Sequence, residues 1–121
     1  MLGQKDKALA QFEKVVRKRD VGWILKLLLE HHLAKEDYLK ALPYFERLMN
    51  LPDSPLTVAD KVNFNLTYAR YYFNLKEVES GERYYRKVLE LDPQNAEAAN
   101  YFKAKEGNER NKKLLESIEK F

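Results

Sequence analysis

Two histidines, His31 and His32, are the only imidazoles in the chain, and they stand side by side. Neighbouring residues on a helix point about 100° apart, so the pair cannot grip one ion. Neither Glu30 nor Glu36 completes a ligand set around them. His32 is expected to pack in the core and His31 to face outward. Ser54, Ser80 and Ser117 have no base and orienting acid in a convincing arrangement. No glycine-rich phosphate loop is visible. The absence of cysteine rules out disulfides, thiolate catalysis and thiolate metal sites. The expectation is a protein that is not an enzyme, with no metal site and no cofactor.

Charge and aromatic content point to binding by surface. The 121 residues are 45% apolar and 34% charged, the ordinary balance of a soluble helical protein. Four glycines and four prolines are too few for a loop-rich fold. The formal charge of +3 comes from 22 basic and 19 acidic groups. They look mixed along the chain, so no single-sign field is expected. Lys14, Arg17, Lys18 and Arg19 cluster where a first helix should end, and cations there suit the helix dipole. That reading leaves nucleic acid out as a partner. No apolar run approaches the roughly 18 residues needed to span a membrane. The N-terminus lacks an apolar signal core. A soluble chain without membrane insertion is expected, with the cytoplasm as the favoured compartment. Phe64, Tyr68, Tyr71, Tyr72, Phe73, Tyr84, Tyr85, Tyr101 and Phe102 form a dense aromatic set. Tyr68, Tyr72, Tyr85 and Phe102 read as core, while Tyr71 and Phe73 are open to a groove-side role.

The elements that must position these residues repeat. Ala8, Ala41 and Gly81 are each followed four residues later by an aromatic: Phe12, Phe45 and Tyr85. Three residues further come Val15, Leu48 and Val88. Offsets of four and three place each trio on one stripe of a helix. The spacing is 33 residues from Ala8 to Ala41 and 40 from Ala41 to Gly81. An insertion of about seven therefore lies between the second and third units. Helices are expected near 4–19, 21–34, 37–50, 55–75, 77–91 and 95–106, with a last segment near 108–120. Ser54 before Pro55 reads as an N-cap with proline at the first helical position. The insertion is assigned to extra turns on that helix. Pro43 should bend the third helix, and Gly107 should interrupt the last one.

The pattern Tyr68, Ala69, Tyr72, Gly81, Tyr85, Val88 and Pro93 resembles the tetratricopeptide repeat family. Val62 to Asn95 matches best. Gly22 to Asp53 matches in its second helix, with Leu29 in place of the usual small residue. The resemblance implies an all-α fold, a right-handed superhelix of stacked antiparallel helical hairpins. It divides one domain, 1–121, into a half repeat at 3–19, a repeat at 21–53, a repeat at 55–94 with an extended first helix, and capping helices at 95–121 with a polar outer face. It further implies a protein-binding adaptor or scaffold whose first helices line a concave groove. By position the groove residues are Trp23, Lys26, Glu30, Asn63, Leu66, Arg70, Phe73, Asn74 and Asn100. Glu30, Glu97 and Tyr101 stand where one subgroup of the family holds a carboxylate clamp, so that clamp is rejected. The partner is expected to be a protein or peptide.

A rival reading makes assembly the function. Ala8, Phe12, Val15 and Val16 form an apolar stripe whose covering helix is missing from the half repeat. Such a stripe would join a second copy or the remainder of a longer chain.

Overall fold

A three-residue turn closes each of two helical hairpins and sets their geometry. The computed structural model describes residues 3–119. Among these residues there are six helices and no strand: α1 (Gly3–Lys18), α2 (Gly22–Ala34), α3 (Tyr38–Asn50), α4 (Val58–Asn74), α5 (Val78–Leu91) and α6 (Ala96–Glu119). The α2–α3 turn is residues 35–37 and the α4–α5 turn is residues 75–77. In the first, Glu36 N–H donates to Leu33 O at 2.9 Å and Asp37 N–H to His32 O at 2.9 Å. In the second, Lys76 N–H donates to Phe73 O at 2.9 Å and Glu77 N–H to Tyr72 O at 2.9 Å. This is the paired bonding of a Schellman C-cap, which requires a left-handed residue just past the helix. Glu36 and Lys76 fill that position with φ of 60° and 63°, although neither is glycine.

The chain separates into two compact units, one up to residue 64 and the other from residue 65, with the boundary inside α4. In the first unit α2 is buried on two faces. Ile24, Leu25, Leu28 and Leu29 are inaccessible or nearly so, as are Ala41, Phe45 and Leu48 of α3. Phe45 packs against Phe64, centroids 5.7 Å apart. Arg47 of α3 reaches the end of α1, donating through its guanidinium to Val16 O at 2.6 Å and to Asp20 Oδ1 at 2.7 Å. A cation at the C-terminal carbonyls of a helix satisfies groups that have no helical partner.

In the second unit Tyr68, Ala69, Tyr84, Val88 and Ala98 form a dry centre, with Tyr72 stacked on Tyr84 at 5.6 Å. Gly81 is the close point between α4 and α5: a Cβ there would lie 2.7 Å from the Phe73 ring. The ring cannot easily give way, because it is held by Tyr85 at 5.1 Å and Tyr101 at 4.9 Å. Tyr72 and Phe102 are half-buried rather than core.

Four expectations need correction. The helix α4 begins at Val58, and its cap is Thr57, not Ser54. Asp60 N–H donates to Thr57 Oγ1 and Thr57 N–H to Asp60 Oδ2, both at 3.0 Å, a reciprocal box that satisfies two donors at once. Ser54 Oγ instead accepts from Leu56 N–H within the loop. With 17 residues against 13 in α2, α4 is one turn longer, and the rest of the insertion goes to the loop 51–57. Gly107 does not interrupt α6, because its cost of about 1 kcal/mol falls among strong helix formers on both sides. The cap is not polar throughout: Leu114, Leu115 and Ile118 are all more than 60% exposed. Pro43 sits inside α3, which continues through it.

Two substitutions should move stability in opposite directions. Lys76→Gly relieves the left-handed residue and should raise the melting temperature, by about 0.5–1 kcal/mol in free energy. Gly81→Ala should lower it, because overpacking costs about 1–3 kcal/mol and outweighs the gain of about 1 kcal/mol in helix propensity. Thermal unfolding followed by circular dichroism measures both.

Candidate functional site

The predicted groove residues lie on the first helix of each hairpin, α2 and α4, except Asn100, which lies on α6. On α2, Trp23, Lys26 and Glu30 recur at three- and four-residue spacing, which aligns them on one face. Trp23 is 59% exposed, yet its ring meets Phe12 of α1 edge-on at 5.6 Å. Lys26 Nζ lies 3.9 Å from Glu30 Oε1 and 4.0 Å from Asp60 Oδ2. On α4, Asn63, Arg70 and Asn74 are exposed. Leu66 is buried at 7% and offers no surface to a partner, because its side chain turns to the core. Phe73 is half-buried, clamped between Gly81 and the two tyrosine rings, so most of its apolar area serves the hairpin.

The second unit builds a fixed polar constellation around Arg70. Arg70 Nε donates to Glu97 Oε2 at 3.0 Å and a second guanidinium nitrogen bonds Glu97 Oε1, a bidentate pair joining α4 to α6. Tyr85 of α5 donates its hydroxyl to Glu97 Oε2 at 2.9 Å. The Arg70 hydrogen bond, followed by the Tyr85 hydrogen bond, holds the Glu97 carboxyl below its usual range despite partial burial. Burial, then the Glu97 carboxylate, push the Tyr85 phenol up to about 12. Asn74 lies one turn beyond Arg70 and Asn100 one turn beyond Glu97, both exposed.

A second constellation was not foreseen. Glu82 is only 5% exposed, and a buried carboxylate needs a partner. Lys105 Nζ donates to its Oε2 at 2.5 Å and the Tyr101 hydroxyl at 3.3 Å. The Lys105 hydrogen bond, first among the causes, depresses the Glu82 pKa. Glu82 and Lys105 are 23 residues apart on different helices, and no local sequence pattern links them.

The self-association stripe divides. Val16 is 2% exposed and belongs to the core of the first unit, while Phe12 and Val15 are half-buried and Ala8 is exposed. Val16 is lost from the stripe because it faces inward where Arg47 grips its carbonyl. His32 is buried, stacked on Tyr44 at 5.8 Å, and His31 is half-exposed. Among the described residues no three His, Asp or Glu side chains stand together as a metal site. Among the described residues no helix is long and apolar enough to cross a membrane.

Lys105→Met should separate the contributions at Glu82. In the wild type the depressed Glu82 pKa gives stability that is present above about pH 4.5 and lost as pH falls through the lowered value. Without the lysine the buried carboxylate loses its principal partner, keeps only the longer Tyr101 hydrogen bond, and its pKa rises, so acid relieves it. The variant should melt lower at pH 7, and the gap should narrow below about pH 4.5. Melting curves across that range provide the measurement.

The geometry of the second hairpin agrees with a comparison of families. Residues 62–95 match the family model described as Tetratricopeptide repeat, the span that carries Tyr68, Ala69, Gly81, Tyr85 and Pro93. No curated protein and no solved structure matches the chain. That match and the all-helical architecture of hairpins agree: residues 62–95 are similar to a tetratricopeptide repeat.

Proposed function

We propose that this protein is an adaptor whose first-helix faces hold a segment of a protein partner. Repeats of this family generally mediate protein–protein interaction, so a protein partner is the starting point. The observation that supports the finer reading is the Arg70–Glu97–Tyr85 constellation. It ties three helices together and fixes the Arg70 guanidinium before a partner arrives, with exposed Asn74 and Asn100 one turn further along α4 and α6. Preorganised groups lose less entropy on binding than mobile ones. Asparagine amides both donate and accept, which suits the main chain of an extended peptide. Trp23, Lys26 and Glu30 on α2 offer a second surface of the same kind, with Trp23 as an apolar anchor.

The rival reading, self-assembly through the N-terminal end, is supported by a different observation: Trp23, whose ring meets the half-buried Phe12, is exposed, as is Leu27 one turn further along α2. Sedimentation of the wild type and of Phe12→Glu separates the two. A monomer with unchanged mass in both supports the adaptor, and a dimer abolished by Phe12→Glu supports assembly.

Photo-crosslinkers placed at Asn74 and Asn100 should capture the same protein from cells, whereas one at Arg83 of α5 should not. Arg70→Gln, combined with Asn74→Ala, should cut that capture about tenfold, a loss of about 1.4 kcal/mol. Its stability should fall by no more than about 1 kcal/mol, since the ion pair is largely solvent-exposed. Equal capture at Arg83, or full capture by the double variant, would remove the groove reading.

A further inference from the structure

The formal charge of +3 is not spread along the chain. Residues 1–20 hold six bases and three acids, and beyond residue 20 the bases and acids are equal in number. The whole excess therefore sits on α1 and its end, which corrects the expectation of a mixed field.

The helix also sorts its charges by face. Glu13 turns toward α2, its Oε1 3.8 Å from His32 Nε2. Asp20 is taken by Arg47 of α3. Asp6 lies in the first turn, where it complements the positive helix end. The bases are left on the outside. Lys7, Lys14 and Lys18, with Gln11 between them, follow the spacing i, i+7, i+11 and i+4, which places them in one row. All four are exposed. No acid among the described residues pairs with any of the three lysines. The lysine row spans about 16 Å of helix axis.

We infer that this lysine row is a docking face for an acidic helix of a protein partner. A helix laid along α1 with carboxylates at the same spacing would meet all three ammonium groups over those three turns. Nucleic acid is the poorer fit. The row presents no aromatic platform for bases, because Phe12 is turned away to the Trp23 ring. It also offers point charges in place of the bidentate arginine fork favoured for phosphate and base edges. The lysine row is on α1 and Arg70 on α4, with no residue in common, so the two assignments fail independently.

The test uses the full chain and two probes: a synthetic helical peptide with glutamates at i, i+4, i+7 and i+11, and an oligouridine of equal charge. The peptide should bind at low ionic strength and weaken as salt rises, as screened charge pairs do. Lys7→Gln, Lys14→Gln and Lys18→Gln together should weaken it about tenfold. Lys103→Gln, Lys112→Gln and Lys113→Gln remove the same charge elsewhere and should change it less than about twofold. Arg70→Gln should leave it unchanged. Circular dichroism confirms that each variant is folded. Equal losses in the two triple variants would reduce the effect to net charge and overturn the inference. So would tighter binding of oligouridine, or no peptide binding by the wild type.

Discussion

Reversing a helix within three residues leaves no slack, and that constraint governs both hairpins. The Schellman bonds at 35–37 and 75–77 set where the returning helix begins. The returning helix must then pass close to the outgoing one within its first turn. Ala41 and Gly81 occupy that place, each bonded four residues back to Asp37 O and Glu77 O. Only a small residue fits, and at Gly81 the Phe73 ring already fills the space that a methyl group would need. The aromatic four residues later, Phe45 or Tyr85, is then carried onto the same inward stripe. Small residue, aromatic and aliphatic follow from one tight turn, so the motif is a geometric consequence more than three separate choices.

Energy and geometry are divided among different residues in the second unit. The buried rings supply most of the stabilisation, since each aromatic buries 150–250 Å² in general. The Arg70–Glu97 pair, with side chains 57% and 33% exposed, adds little energy of its own. Its contribution is positional: it fixes a guanidinium that would otherwise sample many rotamers. Glu82 differs because it is nearly inaccessible. There Lys105 offsets a desolvation cost, so its value lies in avoiding a loss.

The sequence made the hairpins legible because the stripe Ala41, Phe45, Leu48 and its counterpart Gly81, Tyr85, Val88 recur at helical spacing. Termini were harder. Ser54 before Pro55 is a sound start signal, but Thr57 with Asp60 makes two backbone bonds where Ser54 makes one. Gly107 failed as a stop signal because one glycine cannot outweigh a run of helix formers. Burial of Leu66 and Val16 depends on which face meets a neighbour, and a single helix period does not resolve that. The Glu82–Lys105 pair joins distant positions and had no local signature. Charge was misread in another way: counting it over the whole chain hid its concentration in the first twenty residues.

The exposed far half of α6 makes one continuous helix into two thermodynamic parts. Ala98 is fully buried, whereas every residue from 108 to 118 is exposed. Helix propagation without packing is marginal in water. Backbone amides near Ala98 therefore exchange with solvent only when the unit opens, while those past Gly107 exchange through fraying of the helix itself. Hydrogen exchange would trace a gradient along α6 where secondary structure alone draws a uniform rod.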